Sequence, residues 1–299
     1  AIYGIGLSRK INKKECIILN TINNHTAPII AIDIPSGVDC NNGQILGFAP
    51  FCDLTITFST LKAGHILLPG SKKINKIKVV DIGISIDIIK KIEPNIKINN
   101  KNQWIKEINW PKIDDHKYSR GYSLVVGGSK KMTGASRLAA ISAQRAGSGI
   151  VALASEKEAE EIYFISLTSQ LVKSYKNIKE YNAIINESRI DSIVIGPGLD
   201  TGNKSILRIK SALKTNKRIV LDAGAISCFK DKLGILIKAL SGKDAIITPH
   251  EGELKSILPN LSGSLISKAL KAAKILDTIV VLKGATTVIA SPNNEALVN

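Results

Sequence analysis

Two short polar motifs each close an apolar run late in this 299-residue chain. Thr248-Pro249-His250-Glu251-Gly252-Glu253 comes first, and Lys283-Gly284-Ala285-Thr286-Thr287 follows about thirty residues later. A lysine ammonium and threonine hydroxyls beside a glycine have the charge and hydrogen-bonding capacity to engage nucleotide phosphate and sugar oxygens. The same five residues also read as the tip of a β-hairpin with Gly284 in the turn. The two readings are compatible, because a hairpin tip can carry a ligand. His250 ends a strand beside two carboxylates, which makes it a candidate for substrate contact or proton chemistry. It also fits a plain surface histidine, with Glu253 starting the next helix.

Three earlier segments offer related chemistry. Val126-Gly127-Gly128-Ser129, followed by Met132-Thr133-Gly134-Ala135, reads as a strand, a tight glycine turn and a helix start. Free amides at such a start suit a phosphate or a polar substrate edge, although the turn also fits a simple connector. Asp33-Ile34-Pro35-Ser36-Gly37-Val38-Asp39 puts a carboxylate at a strand end and a hydroxyl three residues on. Those oxygens could bind a hard cation or take protons, or form a turn that only reverses the chain. Gly4-Ile5-Gly6-Leu7-Ser8-Arg9 supplies backbone amides and a guanidinium, again suited to phosphate, without the spacing of the dinucleotide fingerprint.

The elements that must position these groups alternate between strand and helix patterns, which predicts an α/β fold with a largely parallel sheet. Pro28 to Ile32 is a nearly unbroken apolar run, as in a strand buried on both faces. Asp53 to Phe58 and Ile77 to Val80 are further strands, and Lys13 to Ile22 forms a helix with Cys16, Ile17 and Leu19 inward. From Ser85 to Lys117 the pattern fails in a stretch rich in Lys, Asn and Ile. A second alternation then begins at Tyr122 to Val126. Its first helix, Thr133 to Ala146, is predicted to turn Ala135, Leu138, Ala139, Ser142, Ala143 and Ala146 to one face, with Thr133 as cap. Later strands are Ser192 to Ile195, Arg218 to Leu221, Ala245 to Ile247 and Ile279 to Leu282. Three run into Gly196-Pro197-Gly198, Asp222-Ala223-Gly224 and Thr248-Pro249-His250, so one pocket at the carboxyl ends could use them all.

Composition narrows the partners. With 44% hydrophobic residues a core is available, yet no apolar run approaches the roughly 18 residues of a membrane span. The net charge of +16 raises nucleic acid as a partner, but lysines occur singly and no basic stripe interleaves with aromatics. Neither nucleic acid nor membrane is therefore expected. Cys16, Cys40, Cys52 and Cys228 lack zinc-pair or dithiol spacing and read as reduced thiols of a cytoplasmic protein. Ala1 is not a natural initiator and no leader pattern follows it, so the start is expected to be a truncation.

Taken as an ordered set, the motifs resemble the bifunctional NAD(P)H-hydrate repair family, an epimerase domain joined to an ADP- or ATP-dependent dehydratase domain. Gly4 to Arg9, Asp33 to Asp39, Asp53 to Phe58, Leu61 to Gly64 and Val80 to Ile84 look like the second half of the epimerase. His116-Lys117, Val126 to Ala135, Gly196 to Leu199, Leu221 to Ala223, Thr248 to Glu253 and Lys283 to Thr287 look like the dehydratase. The resemblance implies a partial Rossmann-like three-layer epimerase domain over residues 1–88, a linker over 89–114 and a ribokinase-like α/β domain over 115–299. It implies that Gly4, Ile5, Gly6, Leu7, Ser8, Arg9, Lys10 and Asp33 contact the hydrated nucleotide, with Ser36 a potassium ligand. In the second domain Ala135, Gly198 and His250 would contact the hydrate, and Lys283, Gly284, Ala285, Thr286 and Thr287 the adenine nucleotide.

Implied cofactors are ADP or ATP, Mg2+, and K+ at the epimerase site; a homo-oligomer is expected. The remaining potassium ligands and the Gly-Ser-Gly-Asp segment with the proton-transfer aspartate are expected before Ala1 and after Asn299. Departures from the family pattern are Ile5 for threonine, Tyr118 for glycine, and Gly224 and Ser227 for an aspartate and an asparagine. A ribokinase-like kinase of vitamin precursors, or a non-catalytic nucleotide-binding module, is the alternative.

Overall fold

Short parallel strands dominate the computed structural model, which describes residues 2–299. The chain divides into two units. The first runs to Lys97 and includes Ser264–Ile266 and Val298–Asn299; the second comprises Ile98–Gly263 and Ser267–Leu297.

In the first unit, α1 (Lys13–Asn23) precedes β1 (Ile30–Ile32), β2 (Cys52–Phe58) and β3 (Ile74–Val80), and α2 (Ile86–Ile92) and β4 (Ile96–Ile98) follow. The strands pair in parallel in the order β1-β2-β3. Asn12 and Glu15 form a reciprocal capping box that starts α1. Leu19 then packs with Leu7 and Ile11, and Cys16 lies partly buried against them.

Two expectations fail here. Ile17 is 65% exposed, so α1 buries a narrower stripe than its apolar content suggests. In β1 only Ala31 is buried, whereas Ile30 and Ile32 are exposed. An apolar run fixes a strand but not the number of layers that cover it.

The second unit carries β5 (Tyr122–Val126), α3 (Gly134–Arg145), β6 (Ile150–Glu156), α4 (Glu160–Ser166), β7 (Leu171–Tyr175), α5 (Ile178–Ile185) and β8 (Ser192–Ile195). It continues through α6 (Asn203–Leu213), β9 (Arg218–Leu221), α7 (Gly224–Ser227), α8 (Leu233–Leu240), β10 (Ala245–Ile247) and α9 (Glu251–Ile257). Last come α10 (Leu265–Leu276), β11 (Ile279–Leu282), β12 (Val288–Ala290) and β13 (Ala296–Val298). Strands of this unit neighbour one another in the order β12-β11-β10-β9-β8-β5-β6-β7. All these pairs are parallel except β11 with β12. The strand order reverses between β5 and β8, a topological switch point of the kind at which α/β sheets bind ligands.

The helix after β5 corrects another expectation. Ser136 and Ala140 are its buried residues, with Ala139, Ile141 and Ala143 partly buried, while Leu138 is 68% exposed. The inward face is rotated by about one residue from the predicted stripe. A polar tie explains this: Ser136 Oγ meets the Tyr163 hydroxyl at 2.8 Å and accepts the Gly128 amide at 3.3 Å. Thr133 occupies the cap position, but its hydroxyl makes no capping bond. The Lys283 to Thr287 segment is a hairpin tip, since Leu282 pairs antiparallel with Val288. Gly284 is not among the residues at positive φ, so the turn does not need its glycine for that reason.

Candidate functional site

In the second unit the loops after the parallel strands meet at the carboxyl edge of the sheet. Gly196 ends β8 with φ +129, and a Cβ there would lie 1.7 Å from the Asp222 carbonyl oxygen. Gly198 has φ +74, and its Cβ would lie 2.1 Å from the Met132 carbonyl oxygen. Only glycine permits both the backbone conformation and the approach. The loop after β5 is held from beneath: Tyr163 donates to Gly128 O at 3.1 Å, and burial pushes its phenol up, keeping it a neutral donor.

Side chains converge at the next three strands. Leu221 and Ile247 are register partners, so the residues that follow them, Asp222 and Thr248, lie side by side. Thr248 Oγ1 donates to Asp222 Oδ1 at 2.7 Å, and Lys283 Nζ reaches the same oxygen at 2.6 Å from the end of β11. The Lys283 amide donates to Pro249 O at 2.8 Å, and its backbone bridges to His250, which sets the two opening motifs next to each other. The Lys283 side chain is 43% exposed, free enough to face a ligand.

His250 and Glu253 form the capping box of α9. His250 Nδ1 accepts the amides of Gly252 at 3.0 Å and Glu253 at 3.2 Å, while Glu253 Oε2 accepts the His250 amide at 2.9 Å. With Nδ1 an acceptor, the neutral ring carries its proton on Nε2. Nε2 lies 3.7 Å from Glu253 Oε1, too far for a hydrogen bond, on a side chain 61% exposed, so its proton is left for another acceptor. The helix expected here starts at Glu251, with Glu253 in its first turn and His250 as its cap. Ala135 lies exposed in the first turn of α3, Gly284 and Ala285 are exposed, Thr286 is buried, and Thr287 Oγ1 is bound to Gly284 O at 3.2 Å. The geometry joins His250, Lys283, Asp222 and Thr248 directly; Gly198 and the loop before Ala135 meet through Met132.

The first unit builds a second cluster at the end of β1. Ile32 pairs with Ile56, which places Asp33 beside Thr57. Asp33 Oδ1 accepts from Thr57 Oγ1 at 2.7 Å and from Lys62 Nζ at 2.6 Å, and Lys62 also donates to Thr57 and to Phe58 O. Asp33 has φ +66, and its carbonyl accepts His65 Nε2 at 2.7 Å, while His65 Nδ1 takes the Lys62 amide. Burial works against the Asp33 carboxylate, but the Lys62 and Thr57 hydrogen bonds override it and hold the group below the usual carboxylate range. Burial also lowers the His65 imidazole, which stays neutral.

Gly4, Ile5, Gly6, Ser8 and Lys10 are exposed and Leu7 is buried. Arg9 pairs with Glu15 at 3.0 Å and with the Tyr3 hydroxyl. Ser36 Oγ accepts the amides of Ile2 and Tyr3 and donates to Tyr3 O. Sequence reasoning does not single out Lys62, Thr57 or His65, whereas Asp222 and Thr248 lie in strand-end segments it assigns to one pocket without naming their roles. The register of neighbouring parallel strands is the signal that would have found the two threonines.

This arrangement defines the class first. A ribokinase-like superfamily protein from Enterococcus faecalis superposes with a TM-score of 0.58 at 18% identity, covering 69% of this chain and 72% of that one, a likeness of fold. An ADP/ATP-dependent NAD(P)H-hydrate dehydratase from Bacillus subtilis, co-crystallised with ATP and Mg2+, gives 0.57 at 25% identity, covering 69% and 73%. The sequence model of the NAD(P)H-hydrate dehydratase family matches residues 123–299, and that of the YjeF-related protein N-terminus matches residues 1–64. The chain belongs to the NAD(P)H-hydrate dehydratase family. A bifunctional NAD(P)H-hydrate repair enzyme of Dictyoglomus turgidum is 32% identical over all of this chain and 60% of its own length; one from Synechocystis sp. is 26% identical over 98% and 57%. The chain thus spans about 60% of the length of such relatives.

Proposed function

We propose that this chain binds hydrated nicotinamide nucleotide in both units and an adenine nucleotide in the second, in the repair of NAD(P)H-hydrate. The observation that carries the reading is the meeting of Lys283 and Thr248 on one oxygen of Asp222, three strand ends gathered at the carboxyl edge of a ribokinase-like sheet. Lys283 would exchange its carboxylate for a nucleotide phosphate, and the hairpin tip from Gly284 to Thr287, exposed at Gly284 and Ala285, would face the nucleoside. Ala135, Gly198 and His250 would face the hydrate, with His250 Nε2 donating to a hydroxyl or carboxamide oxygen. In the dehydratase reaction the nucleotide phosphorylates the 6-hydroxyl, and departure of phosphate with loss of a ring proton restores the dihydropyridine.

No group of three or more His, Cys, Asp or Glu side chains forms a metal cage among the described residues. Mg2+ fits this edge as a nucleotide complex, with Asp222 the carboxylate at hand, and it would neutralise phosphate charge there. In the first unit, Asp33 with Lys62 is a carboxylate and ammonium pair suited to holding the hydrate while its C6 configuration inverts; Gly4 to Lys10 would take the phosphates. Ser36 Oγ would meet potassium only by giving up one of its three bonds to the backbone of Ile2 and Tyr3.

Calorimetry with Mg2+ and ADP or ATP tests the nucleotide site. Lys283→Ala is expected to weaken binding about tenfold, close to the loss of one charge-assisted contact; unchanged affinity would remove the assignment. Calorimetry of the chain with hydrated NADH, repeated on His250→Ala, tests the hydrate site, where weaker binding by the variant is expected and unchanged binding would remove His250 from it. Binding of a hydroxymethylpyrimidine in place of hydrated NADH would favour the vitamin-precursor kinase, a reading that leaves the match over residues 1–64 unexplained.

A further inference from the structure

A cavity of about 440 Å³ lies between α6 and α8 of the second unit, lined by residues that the reading above does not use. Both helices run back from the carboxyl edge, and the lining includes the last turn of each. Lys210, Leu213 and Lys214 face it from α6, and Lys238, Ala239 and Lys243 from the end of α8 and the turn that leads into β10. The groove is thus near the edge of the sheet opposite His250 and Lys283.

Its chemistry is amphipathic. The floor is apolar: Leu213 is buried, Ala239 half-buried, and Ile235 remains 44% exposed at the wall. Four lysines ring that floor, and among the described residues none of the four has a recorded ion pair or side-chain hydrogen bond. Asp244, the acidic neighbour of Lys243, is instead paired with Arg218 at 3.5 Å. Lysines at helix ends complement the helix dipole. That accounts for Lys210 and Lys238 singly, but not for four uncompensated ammonium groups around uncovered apolar surface. Gly234, an exposed residue of the lining, would place a Cβ with nothing within 4 Å, so the lack of a side chain there leaves the groove open.

We propose that this groove binds a small anionic amphiphile, an alkyl chain of medium length ending in a carboxylate, with the chain on Leu213, Ile235 and Ala239 and the head among the lysines. Charge complementarity selects an anion over a neutral or cationic amphiphile. The volume is that of a small-molecule site. A lining drawn from two helices and one turn falls well short of the ~800 Å² per partner that a stable protein interface buries, which disfavours a peptide.

Calorimetry of the whole chain with dodecanoate below its micelle concentration tests the proposal, with dodecyltrimethylammonium and inorganic phosphate as probes of the apolar and charged parts alone. Dodecanoate is expected to bind with one-to-one stoichiometry, and the other two at least about tenfold more weakly. Lys210→Gln with Lys238→Gln should weaken dodecanoate about tenfold and flatten its salt dependence. Gly234→Leu, which fills open space at a helical position, should block binding while far-ultraviolet circular dichroism stays unchanged. Equal binding of the cationic amphiphile, binding unaffected by Gly234→Leu, or no binding at millimolar dodecanoate would each overturn the proposal. Nucleotide affinity is expected to be the same in all these variants, so failure here is separable from failure of the nucleotide site.

Discussion

The two units contain the same three-residue arrangement, built independently. In the first, Asp33 follows β1 and is held by Thr57 at 2.7 Å and Lys62 at 2.6 Å; in the second, Asp222 follows β9 and is held by Thr248 at 2.7 Å and Lys283 at 2.6 Å. In each case the threonine comes directly after the register partner of the first strand's last residue, because parallel register places the residue after one strand beside the residue after its partner position. The difference lies in enclosure. Lys62 and Asp33 side chains are 21% and 17% exposed, and Phe58 O and His65 fix the group further. Lys283 and Asp222 are 43% and 27% exposed, and Asp222 is the only partner recorded for the Lys283 ammonium among the described residues. On the function proposed above, the same pair is a rigid element in one unit and an exchangeable latch in the other.

Breaking each lysine contact gives the largest test of that contrast. Lys62→Met leaves a partly enclosed carboxylate without its cation and is expected to lower the stability of the first unit by about 2–3 kcal/mol. Lys283→Met should change the second unit by less than about 1 kcal/mol, because solvent screens the pair. Amide hydrogen exchange, read separately on β1 and β2 and on β9 and β10, measures both. Comparable losses would erase the distinction between rigid pair and latch.

A smaller effect is expected at the threonines. Thr57→Val removes a fully buried hydroxyl that both donates to Asp33 and accepts from Lys62, and should cost about 1–2 kcal/mol. Thr248→Val, in a half-buried position, should cost about half as much by the same measurement.

Acid should distinguish the units as well. Both Asp33 and His65 have folded pKa values below their ordinary ones, so the unfolded first unit binds more protons as pH falls, and its stability drops. The His65 share is complete above about pH 6.5 and is lost as pH falls below it; the Asp33 share starts to go only as pH approaches about 4. Exchange protection of β1 and β2 is expected to decline between pH 7 and 5, and His65→Gln should flatten that decline. A similar decline in β9 and β10 would count against a cause local to the first unit.

The smallest effect concerns backbone strain. Ala223, directly after Asp222, has φ 44 and ψ −114, a conformation that favours glycine. Ala223→Gly should raise the thermal midpoint of the second unit, corresponding to about 0.5–1 kcal/mol. Asp33, also at positive φ, should show the reverse on replacement by glycine, because its side-chain contacts outweigh the relief.

Much of the scaffold was legible in the sequence for a local reason: strands ending in Gly196-Pro197-Gly198, Asp222-Ala223-Gly224 and Thr248-Pro249-His250 announce themselves by apolar runs and breakers. The hairpin at Lys283 was legible in the same way. The exposed faces of β1 and α1 were not, since covering layers come from elsewhere in the chain. Nor was the rotation of α3, which follows a buried hydroxyl contact between Ser136 and Tyr163 rather than the alanine stripe. Lys62 and His65 lay in plain view in the sequence. Their roles depend on a partner some thirty residues earlier, which no periodicity reports.

The amino-acid sequence by itself determined the alternating α/β order, the glycine turns at strand ends and the ordered motifs that mark the family, because each depends on neighbours along the chain. Only the tertiary structure decided which oxygen each lysine holds, which ring nitrogen of His250 accepts the helix amides, and how firmly each aspartate is enclosed. Those outcomes follow from strand register and burial, and both are set by contacts between residues far apart in sequence.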